Sequence, residues 1–165
     1  MGIKRIGKHL VVHHWQARRV FNRSVLARIE QAIAAGEATH SGQMRFAVEG
    51  ALDGAALLRD QMARERALDV FSHLRIWDTE LKNGVLIYLL FADHRVEIVA
   101  DRGIDIHVGR AGWESICRDM EAEFRLGRFE AGVIGAIENV SRHLARHFPA
   151  SGAGRNELPD EPMLI

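Results

Sequence analysis

The chain has 165 residues, of which 47% are hydrophobic and 27% are charged, and its 22 Lys and Arg residues balance its 22 Asp and Glu residues. This composition is typical of one globular domain, and the balanced charge excludes a general attraction to nucleic acid or acidic membranes. The single cysteine, Cys117, excludes an intramolecular disulfide, and no apolar run approaches the ~20 residues that span a bilayer. Because the N-terminus lacks a secretory signal, we expect a bacterial-type cytoplasmic protein that binds no nucleic acid and has no membrane span.

The first part of the chain predicts an arm, a helix and a strand. Residues 1–20 are basic and weakly patterned, which predicts an N-terminal arm. Apolar residues recur every four positions from Val25 to Ile33, which predicts a helix that ends near Gly36. The stretch 43–49 then alternates between apolar and mainly polar side chains, so we expect a strand with one wetter face.

The middle of the chain predicts a second helix and a β-hairpin. Asp53 is a predicted N-cap for a helix that continues to about residue 75. The apolar stripe of this helix consists of Leu58, Met62, Ala67, Phe71 and Leu74. The stretch 84–92 is apolar on both faces, which indicates a central strand. Only Asp93 and His94 separate it from the next strand, at 95–101, so we expect a tight hairpin.

The last part of the chain predicts two amphipathic helices. Apolar residues line the first from Trp113 to Phe124, and Gly127 follows it as a helix terminator. Apolar residues line the second from Phe129 to Leu144 at four-residue spacing. We therefore expect a helical pair after the hairpin.

This order of elements predicts an α/β three-layer sandwich. The strand at 43–49, its crossover helix and the strand at 84–92 suggest a right-handed parallel βαβ unit, to which the hairpin adds an antiparallel strand. Helices flank the resulting small mixed sheet. We expect one domain over residues 21–149, between the arm over 1–20 and a C-terminal tail over 150–165.

Acidic residues from distant parts of the sequence are predicted to meet at the open end of the hairpin. With Asp93 and His94 in the turn, Leu86 lies opposite Asp101, and a parallel strand at 43–49 starts at this same end. The acidic residues expected there, which we call the acidic rim, are Glu37, Asp78, Glu80, Asp101 and Asp105. Candidate ligand-binding residues beside them are His40, Asn83, Arg102 and Gly103. Calcium takes about six to eight oxygen ligands, so the acidic rim predicts Ca²⁺ as a cofactor.

The acidic rim also has a plainer interpretation. Its members can be solvated loop carboxylates that cap helices or pair with arginines, in which case His40 is an ordinary loop histidine. Cys117 lies on the apolar face of its helix, so we expect an inert core thiol. The sequence contains no nucleophile motif, phosphate-binding loop or dinucleotide fingerprint. Both interpretations stay open at this point.

The stretch NGVLIYLLFADHRVEIVADRGI at 83–104 resembles the TPM domain family, named for a thylakoid-lumen protein, a photosystem repair factor and a nematode receptor modulator. The preceding helix, ARERALDVFSHLRIWDT, and the strand SGQMRFAVEG extend the resemblance to roughly residues 20–146. The resemblance implies an α/β sandwich and, for some members, a membrane anchor, acid-phosphatase activity and calcium binding. It places Asp78, Asn83 and the loop from Asp101 to Gly103 at the family's loop end.

Two functions follow as expectations. The first is a TPM-like binding module that takes a divalent cation such as calcium and acts in a complex with a membrane-associated protein partner. The alternative is a metal-dependent phosphatase of low specificity, in which the acidic rim holds the metal and Arg102 or Arg75 meets the phosphate. The sequence identifies no catalytic residue, and a purely structural role is a third possibility.

Overall fold

The structure, a computed structural model, describes residues 14–150 and 156–165. The helices are α1 (His14–Val20), α2 (Arg23–Glu37), α3 (Gly54–Leu58), α4 (Ala63–His73), α5 (Arg102–Arg125) and α6 (Phe129–His147). The strands are β1 (Gln43–Glu49), β2 (Gly84–Leu90), β3 (Arg95–Ala100) and β4 (Met163–Leu164). None of these described helices combines the length and the apolar character needed to cross a bilayer.

The strands form one open mixed sheet in the order β3-β2-β1-β4. β1 and β2 are parallel, with Gln43 opposite Gly84 at one end and Glu49 opposite Leu90 at the other. β3 is antiparallel to β2, and β4 is parallel to β1. The predicted α/β fold, with a βαβ unit and an added antiparallel hairpin strand, is therefore confirmed.

Helices cover both faces of the sheet. On one face, α2, α5 and α6 pack their apolar stripes against strand residues such as Phe46, Ile87 and Ile98. On the other face, α3 and α4 pack against residues that include Tyr88 and Val99. Because successive strand residues point to opposite faces, the two hydrophobic cores lie on either side of the sheet and give three layers.

The prediction of a wetter face on β1 is wrong, because every residue of this strand is buried. The buried polar residues are Gln43, Arg45 and Glu49. The Gln43 side chain accepts hydrogen bonds from two backbone N–H groups of the C-terminal tail, at 2.8 and 2.9 Å. The Arg45 guanidinium donates to the Pro159 carbonyl. Distant segments of the chain thus supply the partners that water would otherwise provide.

The single helix predicted from Asp53 to about residue 75 is two helices, α3 and α4. Asp53 caps α3 as predicted, because its side chain accepts a hydrogen bond from the Ala56 N–H at 2.7 Å. The chain then breaks at Asp60, which adopts a left-handed conformation with φ of 53°. Leu58 and Met62 lie at this break and are exposed, so their assignment to the apolar stripe is wrong.

The predicted two-residue hairpin turn is also wrong. A 3₁₀ turn followed by His94, with φ of 52°, places four residues between β2 and β3. Leu86 therefore lies opposite Val99 and not opposite Asp101. Asp101 instead donates its N–H to the Gly84 carbonyl at 2.8 Å. Asp101 still lies at the open end of the hairpin, now directly beside the start of β2.

Residues expected as a loop after β3 are the start of α5. Asp101 is the N-cap, and its side chain accepts a hydrogen bond from the Arg102 N–H at 2.7 Å. Arg102 and Gly103 lie in the first turn of the helix. The helix breaks at Gly109, whose φ of 68° and ψ of 168° are accessible almost only to glycine. The first segment, residues 102–108, thus follows directly from the end of the sheet.

The tail and the arm differ in how much of them the structure describes. In the tail, β4 places Met163 opposite Ala47, and the Ile165 N–H donates to the Val48 carbonyl at 2.9 Å. In the arm, α1 buries Ala17 completely, and residues 1–13 lie outside the described residues. The tail therefore contributes a fourth strand that the sequence pattern did not predict.

Candidate functional site

The predicted site residues meet where β1 and β2 begin and β3 ends. Because β1 and β2 are parallel and Gln43 lies opposite Gly84, the segments before both strands meet at one end of the sheet. The antiparallel β3 ends there too, since the Asp101 N–H donates to the Gly84 carbonyl. The structure thus brings His40, Asn83 and Asp101 to the end of the sheet at which they were expected.

Two buried oxygen atoms at this end have no hydrogen-bond partner in the described part of the chain. They are Oδ1 of Asn83 and Oδ2 of Asp101. The other polar atoms of Asn83 are engaged, because Nδ2 donates to the Ser41 carbonyl and the N–H donates to Thr79 Oγ1, both at 3.2 Å. A buried polar atom left unpaired costs about 1–3 kcal/mol. These two oxygens can therefore accept a ligand or an internal water molecule.

Two main-chain oxygens lie beside Gly103, which follows Asp101 by two residues. The carbonyl oxygens of Leu81 and Lys82 lie 2.6 and 2.5 Å from the position that a Cβ atom on Gly103 would occupy. Only a glycine permits so close an approach. We call Oδ1 of Asn83, Oδ2 of Asp101 and the carbonyl oxygens of Leu81 and Lys82 the oxygen cluster.

Two members of the acidic rim lie on the loop before β2 and have other contacts. The Asp78 carboxylate forms an ion pair with Arg75 at 2.6 Å, and both side chains are exposed. Glu80 is exposed as well, and its N–H donates to the Glu157 carboxylate at 3.3 Å. The plainer interpretation, a loop carboxylate paired with an arginine, therefore describes Asp78.

Asp105 is turned toward a different part of the molecule. It lies in the first turns of α5, and its Oδ1 accepts a hydrogen bond from Trp113 Nε1 at 2.8 Å. It lines a groove of about 630 Å³ beside β3, where Cys117 also lies. Burial raises the pKa of the Cys117 thiol to about 12, which leaves it protonated and unreactive at neutral pH.

His40 and Ser141 of α6 contribute a second group of buried polar atoms. His40 is buried, and its Nδ1 lies 3.1 Å from the Gly42 carbonyl, so Nδ1 carries the proton. Nε2 of His40 and Oγ of Ser141 are buried without a partner among the described residues. A Cβ atom on Gly36 would lie 3.7 Å from this Nε2 and 2.2 Å from this Oγ. Burial lowers the pKa of His40, so its ring is neutral at pH 7.

Glu37 lies at the outer edge of β1. Its Oε1 accepts a hydrogen bond from the Met44 N–H at 2.9 Å, a group that β4 does not pair. Its carboxyl also forms a hydrogen bond with the Asp160 side chain of the tail, and Arg45 lies near both. Burial raises the pKa of Glu37 to about 8. At pH 7 this carboxyl is mainly protonated, and it can donate its proton to Asp160.

Comparison with known proteins identifies the fold of this chain. A family model described as TPM domain matches residues 16–143. The chain belongs to the TPM domain family. It is also similar to the NMR structure of the BA42 protein from the psychrophilic bacterium Bizionia argentinensis, with a TM-score of 0.76 and 30% sequence identity. That match covers 86% of this chain and 93% of BA42.

A second solved structure shares the fold of this TPM domain at lower identity. It is the N-terminal domain of a protein from P. gingivalis, with a TM-score of 0.62 and 15% identity, and the match covers 77% of this chain and 80% of that chain. The comparison with curated proteins gave no match. The family predicted from the stretch 83–104 is therefore confirmed.

Sequence reasoning missed the partners that the TPM domain takes from its tail and its last helix. Asp160 was not predicted because the tail has no periodic pattern. Ser141 was not predicted because it lies in an ordinary helical repeat. Arg45 carried a usable signal, since a charged residue in a strand between two helical layers must find a buried partner.

The acidic residues of this TPM domain do not form a cluster of their own. Within residues 14–150 and 156–165, no three His, Cys, Asp or Glu side chains come together as a metal-binding group. A cation here would therefore depend on one carboxylate with amide and carbonyl oxygens. That is the composition of the oxygen cluster, and calcium accepts all three kinds of oxygen.

Proposed function

We propose that this TPM domain is a binding module that takes a calcium ion at the oxygen cluster. The observation that carries the proposal is the buried Oδ2 of Asp101, which has no hydrogen-bond partner within residues 14–150 and 156–165. Asn83 Oδ1 is likewise buried without a hydrogen-bond partner among the described residues. The carbonyls of Leu81 and Lys82 add two oxygens beside Gly103. Calcium prefers carboxylate, amide and carbonyl oxygens over nitrogen and sulfur ligands.

The charge of the oxygen cluster predicts weak binding. Asp101 is its single carboxylate, and calcium sites with few charged ligands have dissociation constants of about 10⁻⁴–10⁻³ M. The nearby ammonium of Lys82 donates to the Trp77 carbonyl at 3.3 Å and is engaged within its own loop. The exposed carboxylate of Glu80 lies on the same loop, and its negative charge favours a cation.

A calcium titration followed by amide NMR shifts tests the proposal. We expect shifts at residues 79–84 and 101–104 that saturate in the millimolar range, and we expect Asp101→Asn to abolish them. Asp53→Asn is a matched control, because Asp53 also accepts a hydrogen bond at a helix N-terminus, from the Ala56 N–H. Asparagine is a good N-cap, so both variants should fold.

Two results would contradict the calcium proposal. One is an absence of amide shifts at about 10 mM calcium, well above the expected dissociation constant. The other is an Asp101→Asn variant that titrates like the wild type. Either result would leave the two unpaired oxygens to an internal water molecule, which also satisfies buried polar atoms.

A metal-dependent phosphatase is the second candidate. Its support is Arg102, which is exposed in the first turn of α5 and directly follows Asp101. A guanidinium in that position can form paired hydrogen bonds with a phosphate, beside a metal that polarises it. We would measure calcium-dependent hydrolysis of p-nitrophenyl phosphate. Activity that survives in both Asp101→Asn and Arg102→Gln would refute this candidate.

A further inference from the structure

We infer that the loop of residues 75–82 and the adjoining helical segment 102–108 form a docking surface for a bilayer that carries anionic lipid. This inference rests on the proposed function, because calcium at the oxygen cluster completes the surface. It names the partner of that site as a lipid surface.

Three large apolar side chains are exposed on these two segments. Trp77, Leu81 and Ile106 are 43%, 50% and 72% exposed. The Leu81 carbonyl lies against Gly103, and Ile106 follows Gly103 by one helical turn, so the two segments adjoin. We call these three side chains the apolar patch. Grouped apolar exposure of this kind marks an interaction surface, whereas single exposed residues do not.

Basic side chains surround the tryptophan of the apolar patch. The Arg75 guanidinium and the Lys82 ammonium each lie 5.9 Å from the centre of the Trp77 ring. Arg102 is exposed on the adjoining helical segment. Tryptophan accompanied by lysine and arginine is typical of protein segments at the headgroup level of a membrane, where the ring is half buried and the cations meet phosphates.

The acidic residues of the same segments make the docking depend on calcium. Arg75 is neutralised by its ion pair with Asp78 at 2.6 Å. The remaining basic residues, Lys82 and Arg102, do not outnumber the remaining acidic ones. Those acidic residues are Glu80 on the loop and Asp101, which directly precedes the helical segment. Without calcium the surface has no net attraction for anionic lipid; calcium at Asp101 adds two positive charges and accepts lipid oxygens as ligands.

A lipid surface fits the apolar patch better than a soluble anion does. None of the three side chains of the apolar patch lines the grooves found beside β3, beside α3 and α4, or beside the start of α6. A soluble anion would meet the calcium ion and leave the apolar side chains in water. A bilayer removes them from water at the same time as it meets the calcium ion, and that burial is favourable.

Sedimentation with phospholipid vesicles tests the inference. The vesicles contain phosphatidylcholine with about a quarter phosphatidylserine, and the protein is added with calcium or with EDTA. We expect the wild type to sediment in calcium and to be released by EDTA. Ile106→Asp should weaken binding by about tenfold or more, because a charge replaces an inserted isoleucine. Leu126→Asp is the matched control, since Leu126 is 65% exposed beyond the C-terminal end of α5, and it should bind like the wild type.

Amide NMR on the same samples separates this inference from the calcium proposal. Ile106→Asp lies outside the oxygen cluster, so it should keep the calcium-dependent shifts of residues 101–104 while it loses binding to the vesicles. A wild type that shows these shifts but stays in the supernatant would overturn the docking inference alone. Equal binding in EDTA, equal binding to pure phosphatidylcholine, or equal binding by Ile106→Asp would overturn it too. An absence of both shifts and sedimentation would overturn both proposals.

Discussion

Replacing Glu37 by glutamine should remove a pH dependence from the stability of the protein. Burial raises the pKa of Glu37 to about 8, from an ordinary value of 4.5. The folded protein therefore holds a proton on Glu37 that the unfolded chain has already lost over this interval. The resulting stabilisation is complete below about pH 4.5 and is lost as the pH rises through about 8. In the wild type, the free energy of unfolding should fall across this window.

The size of the effect follows from the same values. Each pKa unit corresponds to about 1.4 kcal/mol, so the full interval gives an unscreened limit of about 5 kcal/mol. Glu37 is partly exposed, and the positive charge of Arg45 stabilises the ionised form. Solvent screening and this charge reduce the expected loss to about 2 kcal/mol. Glutamine keeps an oxygen that can accept the Met44 N–H, and it cannot ionise.

Urea unfolding at several pH values measures this loss. Between about pH 5 and pH 9, we expect the wild type to lose about 2 kcal/mol more than Glu37→Gln does. Glu30→Gln is the control, because Glu30 is an exposed glutamate on the same helix. Titrating groups distant from Glu37 contribute equally to all three proteins, so the difference reports on Glu37 together with its partners Asp160 and Arg45. If the free energy of unfolding depends on pH equally in the wild type and in Glu37→Gln, the inference that folded Glu37 holds a proton is refuted.

Two further predictions concern the scaffold that holds the site. Gly109→Ala should cost about 1–3 kcal/mol in urea unfolding, because φ of 68° with ψ of 168° strains any residue with a Cβ. Gly54→Ala, where a new Cβ meets no atom within 4 Å, should change stability by less than about 0.5 kcal/mol; equal costs would refute the argument. Tyr88→Phe should cost about 1–2 kcal/mol, because it removes a buried hydroxyl that donates to Glu49 at 2.7 Å. Arg66 donates to the same oxygen at 2.8 Å, so a loss above about 3 kcal/mol would contradict this estimate.

The parts of the fold that were predicted correctly depend on local pattern and elementary topology. The apolar run at 84–92 and the helix between two strands were enough to predict a parallel pair with an added hairpin strand. The four-residue spacing from Phe129 to Leu144 was enough to predict α6. These features follow from the burial of side chains close in sequence, so they are visible without coordinates.

The errors arose where the deciding interaction is distant or conformational. The alternation of β1 indicated a wetter face, but Gln43 and Arg45 reach the tail, more than a hundred residues away. The hairpin register depended on His94 in a left-handed conformation, which only a minority of non-glycine residues adopt. β4 is two residues long and therefore shows no period. The spacing of residues that are close in sequence does not reveal such contacts.

The position of the candidate site in the fold was predictable from the sequence, whereas the residues that form it were less predictable. Parallel strands must start at the same end of a sheet, and that rule brought Asn83 and Asp101 together despite the wrong register. It could not separate Asp101, whose buried oxygen lacks a partner in the part of the chain that the structure describes, from Asp78, which pairs with an arginine three residues away. Ion pairs between exposed side chains contribute little free energy, so the sequence does not predict which of them form.

The two groups of oxygen atoms at the edge and at the end of this sheet differ in the positively charged partner that would satisfy them. Glu37 and Asp160 bring two carboxyls together beside Arg45, where a proton relieves the repulsion and the guanidinium opposes a second cation. The oxygen cluster has one carboxylate, from Asp101, among neutral oxygens, so a proton would satisfy only one of them. A divalent cation can satisfy several oxygens at once. Glu37→Gln should therefore alter stability with pH and spare calcium binding, whereas Asp101→Asn should do the reverse.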